Sequence, residues 1–500
     1  MNGFGATDRR YKWRVKYAYQ CRRVALISRA LDNANRAAAA VASGLNDTPI
    51  RVAVTGLSRA GKTVFLTSLI TNFLALKGGK ATLPAIQAAL DKGGMGRLRH
   101  VRLLPAGAGT TPRFDYEAKL LDLAAERPAW PARTEDLAEI ALELEVRPPG
   151  GFLGTMRGMV GNPRIKLELL DYPGEWLLDL PMLPKSYSDW SRETLALLRQ
   201  APRLALAQPF LERMTQIDIM KPADDALIRP VHELYKATME RCRKELGLRY
   251  LQPGRFICMG PRNDAPFMWF FPVDNVPDRS PHASMVERLT ERYEAYKADV
   301  KANFISNHFS RFDRQVVLVD VLGALSAGKA AYEDTERAIA DIAKCLAGEG
   351  NLLGRLFRQQ TPKRVAFVAT KADHVPELQR DNLRSLLRAM SQSARGHGPV
   401  NSDAVSYHVA ASVLSTRDGW IDHDDRPREA VVWGRRLGDT KDRAYQTGSI
   451  PIGHPPEGFW SGRYFELPIF TPPPIDESGI FGIRQLGIDG VIAELIGDQI

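Results

Sequence analysis

The sequence predicts an α/β fold in which a mostly parallel sheet carries helices on both faces. Short apolar strand candidates at 50–55, 314–323, 363–370 and 404–412 alternate with segments of helical period. Such alternation is typical of parallel sheets, because the helix between two parallel strands covers one face of the sheet. A long, polar-faced helical stretch interrupts the pattern from 176 to 312. We therefore expect an α/β domain that is split by a large helical insertion.

The first strand leads directly into a phosphate-binding motif. Residues 56–63 read GLSRAGKT and match G-x-x-x-x-G-K-[ST], after the strand IRVAVT and before a helix predicted at 62–76. The glycines let successive N–H groups point at phosphate oxygens, the lysine reaches the β- and γ-phosphates, and the last hydroxyl ligates Mg²⁺. The residues that we assign to nucleotide binding here are Gly56, Ser58, Arg59, Ala60, Gly61, Lys62, Thr63 and Val64.

A second acid is needed to hold the magnesium ion through water. Asp171 and Asp320 both end apolar strands, and each precedes a glycine by three residues. Asp171 is favoured because DYPG resembles the switch II element of GTPases, in which the N–H of Gly174 would sense the γ-phosphate. It also follows two strand candidates, 137–146 and 164–171, that we expect to pair antiparallel. Asp320 is alternatively the cap of a loop.

A guanine-reading element is predicted at 370–373. These residues read TKAD after the strand KRVAFVA and match [NT]-K-x-D, so Thr370 opens the element. Asp373 would accept hydrogen bonds from guanine N1 and N2, and the aliphatic stem of Lys371 would cover the base. Ala411 and Ser412 are our candidates for a further N–H donor to guanine O6. The alternatives are an exposed Lys–Asp turn and a preference for ATP.

Switch I requires a threonine that meets both Mg²⁺ and the γ-phosphate. Thr134 lies just before the first strand of the antiparallel pair, and Thr110 and Thr111 compete with it in a Gly-rich loop. Thr134 is alternatively a cap of a helix or strand. The predicted magnesium ligands are therefore Thr63, Thr134 and, through water, Asp171.

Two residues depart from an ordinary GTPase site. Glu175 stands where Ras-like enzymes place a water-orienting glutamine. A carboxylate polarises water but repels the γ-phosphate, so we expect slow hydrolysis. Arg59, inside the phosphate loop, is either an internal positive charge for the phosphates or a solvent-facing or insertion-paired side chain. The predicted catalytic residues are Lys62, Thr134, Glu175 and Arg59.

The N-terminal 47 residues are strongly basic. Residues 1–30 hold eight Arg and Lys against one acid, with aromatic residues between them, and a helix is expected over 10–43. Such a helix packs on its own protein, lies on an anionic membrane through residues 9–29, or touches nucleic acid without sequence specificity. The whole chain has 44% hydrophobic residues, no apolar run of the ~20 residues that span a membrane, and four widely spaced cysteines. A reduced, cytoplasmic location is expected.

The chain is expected to divide into six parts. They are a basic segment 1–47, the nucleotide-binding domain in two parts at 48–175 and 313–420, the insertion 176–312, an irregular region 421–482, and a C-terminal helix 483–500 that packs on the domain.

The insertion contains the aromatic run PFMWFFP (266–272). We interpret this run as core or a seam between domains, with a partner surface as the alternative.

GLSRAGKT, DYPGEWLLDLPML, VVLVDVLGAL and ATKADHV together resemble the YcjX-like family of bacterial P-loop proteins. The resemblance covers most of the chain, and DYPGEW followed by LLDLP is its most specific part. It implies a P-loop NTPase of the Ras-like type that binds GTP and GDP, in a family described as stress-linked. It gives Gly61, Lys62, Thr63, Asp171 and Asp373 the roles described above.

The predicted function is a nucleotide-switched GTP-binding protein with slow, Mg²⁺-dependent GTP hydrolysis. The alternative is a scaffold that does not hydrolyse GTP. Such a scaffold would recruit a protein partner or a membrane through the insertion and the basic N-terminus.

Overall fold

The computed structural model describes residues 49–76, 80–105, 111–131, 136–148, 163–258, 265–347, 362–393, 404–425, 427–461 and 467–500. The basic segment 1–47 and the switch I candidate Thr134 lie outside these ranges.

The strands of the described residues form two sheets. They are β1 (Ile50–Gly56), β2 (Arg97–Leu103), β3 (Ala138–Arg147), β4 (Arg164–Asp171), β5 (Arg314–Val319), β6 (Arg364–Ala369), β7 (Val405–Val409), β8 (Thr416–Ile421), β9 (Glu429–Gly434) and β10 (Arg443–Tyr445). The larger sheet has seven strands in the order β2-β3-β4-β1-β5-β6-β7. Strands β4, β1, β5, β6 and β7 run parallel, whereas β3 pairs antiparallel with β4 and β2. The predicted antiparallel pair is therefore confirmed.

Helices cover both faces of this sheet. In the described ranges they are α1 (Lys62–Ala75), α2 (Pro84–Lys92), α3 (Tyr116–Ala124), α4 (Tyr187–Leu198), α5 (Arg203–Thr215), α6 (Asp225–Glu245), α7 (Met285–Asp299), α8 (Val321–Ser326), α9 (Lys329–Leu346), α10 (Glu377–Ser391) and α11 (Ile488–Ile496). Successive side chains of a strand point to opposite faces. Val316 and Leu318 of β5 join a core with α1 and α11, whereas Val317 and Val319 join a core with α9 and α10. The predicted α/β fold with a mostly parallel sheet is confirmed.

The stretch between β4 and β5 is helical and has an aromatic interior. Trp190 of α4 stacks on Tyr293 of α7 with ring centroids 5.3 Å apart, and Phe270 meets Trp190 edge-on at 5.4 Å. Phe270 and Phe271 of the PFMWFFP run are fully buried. The run packs into the core, as the first interpretation held, although Pro266 at its start is exposed. The same apolar cluster continues into the sheet domain, so the insertion packs directly on it.

Three elements differ from the sequence expectation. The strand predicted at 314–323 ends at Val319, because Asp320 accepts the N–H of Gly323 at 2.9 Å and caps α8. Strand β2 was not predicted, since its sequence RLRHVRL is rich in charges and half-exposed at the sheet edge. The region predicted to be irregular, 421–482, contains β9 and β10, which form an antiparallel sheet with β8 in the order β10-β9-β8.

Helix α11 returns the end of the chain to the large sheet. Arg314 of β5 donates from Nε to the carbonyl of Leu495 at 2.9 Å and pairs with Asp498 at 3.0 Å. Ile492 and Leu495 are buried in the core that α1 shares with β5. None of the helices in the described part of the chain combines the length and apolar character needed to cross a bilayer.

Candidate nucleotide site

The GLSRAGKT loop has the backbone of a phosphate cradle. It leaves β1 at Gly56, where an added Cβ would lie 2.7 Å from the carbonyl oxygen of Leu318. Gly61 adopts the left-handed region with φ +81°, a conformation that favours glycine, and α1 begins at the next residue. The N-terminus of this 14-residue helix therefore faces the loop. A helix N-terminus and free loop amides attract an anion.

Lys62 and Asp171 connect the phosphate loop to the end of β4. Lys62 Nζ donates to Asp171 Oδ1 at 2.9 Å, and the Asp171 side chain is fully buried. Its second oxygen, Oδ2, has no hydrogen-bond partner among the described residues. A buried carboxylate oxygen without a partner costs free energy unless a cation or water meets it. Thr63 adds a hydroxyl next to Lys62, so hard oxygen ligands of the type that Mg²⁺ prefers are present here.

The DYPG segment lies directly on the phosphate loop. An added Cβ on Gly174 would come within 2.4 Å of the carbonyl carbon and oxygen of Gly56. Thr55 Oγ1 also donates to the carbonyl of Tyr172 at 3.2 Å. After Gly174 the chain forms a 3₁₀ segment, Gly174–Met182, in which every residue is buried. A displacement of either loop would therefore move the other.

The TKAD element lies at the same edge, after β6. Lys371 adopts φ +60°, and its Nζ pairs with Asp320 Oδ2 at 2.5 Å. Burial raises the pKa of Asp320, but Lys371, the N–H of Gly323 and Arg249 together outweigh burial and leave that pKa below its usual value. Asp320 thus acts as the cap of α8 and the partner of Lys371, in agreement with the loop-cap alternative. Thr370 is buried and donates its N–H to Val319 at 3.0 Å.

Asp373 is held by a residue that the sequence analysis did not single out. Its Oδ2 accepts the N–H of Ser415 at 2.9 Å and the Ser415 hydroxyl at 2.8 Å. The N–H of Ala411, our candidate donor to guanine O6, is already donated to the carbonyl of Leu486 at 2.9 Å. Ser415 therefore orients the carboxylate of Asp373, and the role of Ser412 as a donor to guanine O6 stays a prediction. No motif in the sequence marks Ser415.

The remaining predicted residues occupy different surroundings. Arg59 is exposed and has φ +69°, whereas Glu175 is buried. Thr134 and its competitor Thr110 lie outside the described residues. Thr111 precedes Pro112, whose carbonyl accepts the N–H of Glu139 at 2.8 Å near the start of β3.

These residues meet because parallel strands present their carboxyl ends at one edge of a sheet. Strands β1, β4, β5 and β6 lead there to the phosphate loop, Asp171, Asp320 and the TKAD element respectively. This edge is where open α/β sheets bind ligands. The fold and the loop geometry define a P-loop protein.

The chain belongs to the YcjX-like family, DUF463, whose family model matches residues 50–500. A relative from Escherichia coli (strain K12), named Ras-like GTPase YcjX, is 34% identical over 465 residues, which cover 91% of this chain and 96% of the relative. A relative of the same name from Shewanella oneidensis is 31% identical over 476 residues, which cover 91% of this chain and 95% of the relative.

Proposed function

We propose that this chain binds guanine nucleotides and hydrolyses GTP slowly with the help of Mg²⁺. The observation that carries the proposal is a phosphate loop and a buttressed aspartate, Asp373, at one edge of the same parallel sheet. The name Ras-like GTPase, which both relatives bear, supports guanine as the base.

The phosphate end of the site would use the loop backbone and three side chains. Gly61 and its neighbours would direct N–H groups at the phosphates. Lys62 would leave Asp171 and pair with the β- and γ-phosphates. Thr63, Thr134 and, through water, Asp171 would hold Mg²⁺, which neutralises charge on the phosphates. The partnerless Oδ2 of Asp171 supports this assignment.

The base end of the site would depend on Asp373. Two Ser415 donors fix one carboxylate oxygen, so the other is oriented for guanine N1 and N2. That other oxygen, Oδ1, lies 3.9 Å from Nε2 of His374. Burial lowers the pKa of His374, so this ring is neutral at physiological pH and competes weakly for the carboxylate. The stem of Lys371, fixed at its far end by Asp320, would cover the base.

Hydrolysis is water attack on the γ-phosphorus of GTP: the water oxygen forms a bond to phosphorus, the bond from phosphorus to the β,γ-bridging oxygen breaks with its electron pair staying on GDP, and a water proton passes to phosphate or solvent. Glu175 stands directly after DYPG, where its negative charge would oppose the γ-phosphate. Positioning by the loop and charge neutralisation by Lys62 would remain as the main contributions. Slow turnover follows from this arrangement.

A second candidate is a nucleotide-gated scaffold. The buried segment Gly174–Met182 joins the phosphate loop to the insertion, which favours a protein that transmits its nucleotide state. The insertion would then recruit a protein partner, and residues 9–29 would contact an anionic membrane from the cytoplasmic side.

Single-turnover hydrolysis separates the two candidates. Purified protein, with and without anionic vesicles, is mixed with radiolabelled GTP or ATP, and binding and phosphate release are measured. The enzyme proposal expects Mg²⁺-dependent release from GTP that Lys62→Ala abolishes. Tight GTP binding without release in any condition supports the scaffold, and equal binding of ATP and GTP contradicts the assignment of the base.

A further inference from the structure

Arg249 belongs to the helical insertion, yet its main chain is fixed to the sheet domain. The N–H groups of Arg249 and Tyr250 both donate to Oδ2 of Asp334, at 2.5 and 2.8 Å. Asp334 lies on α9, which shares a core with the sheet, and its other oxygen pairs with Arg203 of α5. The carboxylate therefore determines where Arg249 sits relative to the nucleotide edge.

The chain that follows Arg249 touches the segment after DYPG. The N–H of Gly254 donates to Oδ1 of the buried Asp179 at 2.7 Å. An added Cβ on Gly254 would lie 1.7 Å from the carbonyl oxygen of Glu175, so the two backbones are in direct contact. Arg249 thus precedes a segment that packs against the backbone directly after DYPG.

The Arg249 side chain faces the nucleotide edge. Its guanidinium hydrogen-bonds to the carbonyl of its neighbour Leu248 at 3.3 Å. The charges that act most strongly on it are those of Asp320, Arg59 and Glu175. These three residues follow the carboxyl ends of three different strands, β5, β1 and β4. A guanidinium within electrostatic range of all three lies beside this edge of the sheet.

The Arg249 side chain is half-buried. Burial lowers the pKa of Arg249, although an arginine stays protonated. Within the described part of the chain, no carboxylate lies at ion-pair distance from it, and Asp320 is already paired with Lys371 at 2.5 Å. A poorly solvated guanidinium is stabilised by an anion, and its planar fork matches a phosphate.

We propose that Arg249 contacts the terminal phosphate of the bound nucleotide, as an arginine that the helical insertion supplies to its own P-loop. The proposal rests on the proposed function and names the residue that supplies positive charge from outside the loop. Arg59, the candidate that the sequence offers inside the loop, is exposed, in agreement with the solvent-facing alternative. Arg249 would stabilise charge on the γ-phosphate in the transition state, and GDP would lack this contact.

The test compares Arg249→Ala and Arg249→Lys with the wild type and with Arg241→Ala. Arg241 lies on α6 of the same insertion, is exposed, and pairs with Glu245 at 2.8 Å. We expect Arg249→Ala to lower single-turnover GTP hydrolysis by about 100-fold or more. GDP affinity should stay within about threefold, and the GDP–aluminium fluoride complex, which imitates the transition state, should be lost. Lysine should restore little, because it lacks the fork.

If wild-type hydrolysis is too slow to measure, the ratio of GTPγS affinity to GDP affinity provides a readout that needs no hydrolysis. This ratio should fall in Arg249→Ala but not in Arg241→Ala. Wild-type turnover, affinity ratio and aluminium fluoride binding in Arg249→Ala would overturn the inference and leave the proposed function standing. An equal loss of GDP and GTPγS binding with a lower melting temperature would assign Arg249 a structural role and overturn the inference. If the wild type binds no guanine nucleotide, the proposed function itself fails.

Discussion

Lys62 and Asp171 form an ion pair of 2.9 Å that joins the phosphate loop to the end of β4. The two side chains differ in exposure, since the lysine is 11% exposed and the carboxylate is fully buried. Lys62 can turn to solvent or to a phosphate, whereas Asp171 cannot leave its site. The pair therefore holds the loop in place until a nucleotide takes the lysine.

The unequal burial predicts unequal effects of mutation on the free energy of unfolding. Lys62→Ala leaves a buried carboxylate without a cation, which costs about 3 kcal/mol or more. Asp171→Ala removes the buried charge, and Lys62 can then reach water, so its cost should be smaller. Urea unfolding followed by tryptophan fluorescence, without nucleotide and with EDTA, measures both. A Lys62→Ala protein as stable as wild type, or less affected than Asp171→Ala, contradicts this account.

The contact between Gly174 and Gly56 predicts that Gly174→Ala damages the phosphate loop. The new Cβ meets backbone atoms at 2.4 Å, and backbone yields less easily than a side chain. We expect a loss of about 1–3 kcal/mol in stability and a weaker affinity for GTP in equilibrium titration. The matched control is Gly490→Ala in α11, where a Cβ meets nothing within 4 Å. It should raise stability by about 0.5–1 kcal/mol and leave affinity unchanged; equal behaviour of the two variants would refute the prediction.

Asp179, just after the DYPG segment, predicts a pH dependence of stability. Burial raises its pKa from 3.8 to about 6, although Arg255 and Tyr296 oppose the change. Between these values the folded protein binds more protons than the unfolded chain, so this group makes stability fall as pH rises from about 4 to about 6. Asp179→Asn removes that loss, and its stability relative to wild type should improve by up to about 3 kcal/mol from pH 4 to pH 7.

Chemical denaturation of both proteins at several pH values measures this difference. Asp189→Asn serves as the control, because hydrogen bonds from Ser186 and Arg192 lower the pKa of that exposed group. Its stability relative to wild type should change little, and in the opposite direction. A difference between Asp179→Asn and wild type that is constant with pH would mean that Asp179 stays ionised in the folded protein.

The parts of the site that follow buried strands were predictable from the sequence. An apolar strand before GLSRAGKT, RIKLELL before Asp171, and RVAFVA before TKAD each predict a carboxyl end, and parallel ends meet at one edge. The sequence alone does not determine the role of Asp320, because its partner Lys371 lies 51 residues away in the chain.

Contacts across long separations could not be predicted. Ser415 hydrogen-bonds to Asp373 across 42 residues, and no motif around it indicates this contact. Arg249 has no local motif, and only the folding of the insertion onto α9 brings it to the nucleotide edge. The sheet β8–β10 was missed because strands such as TRDGWI expose several polar residues and bury few side chains.

The base preference of Asp373→Asn tests the central claim, that this protein reads guanine, most directly. Affinities for GTP, XTP and ATP are measured by titration on wild type, on Asp373→Asn, and on Asp381→Asn, a control at a position 82% exposed on α10. An asparagine cannot accept from both guanine donors but matches the carbonyl of xanthine. We expect wild type and Asp381→Asn to prefer GTP and Asp373→Asn to prefer XTP. Unchanged GTP preference in Asp373→Asn, or wild-type binding of ATP as tight as GTP, would contradict the account.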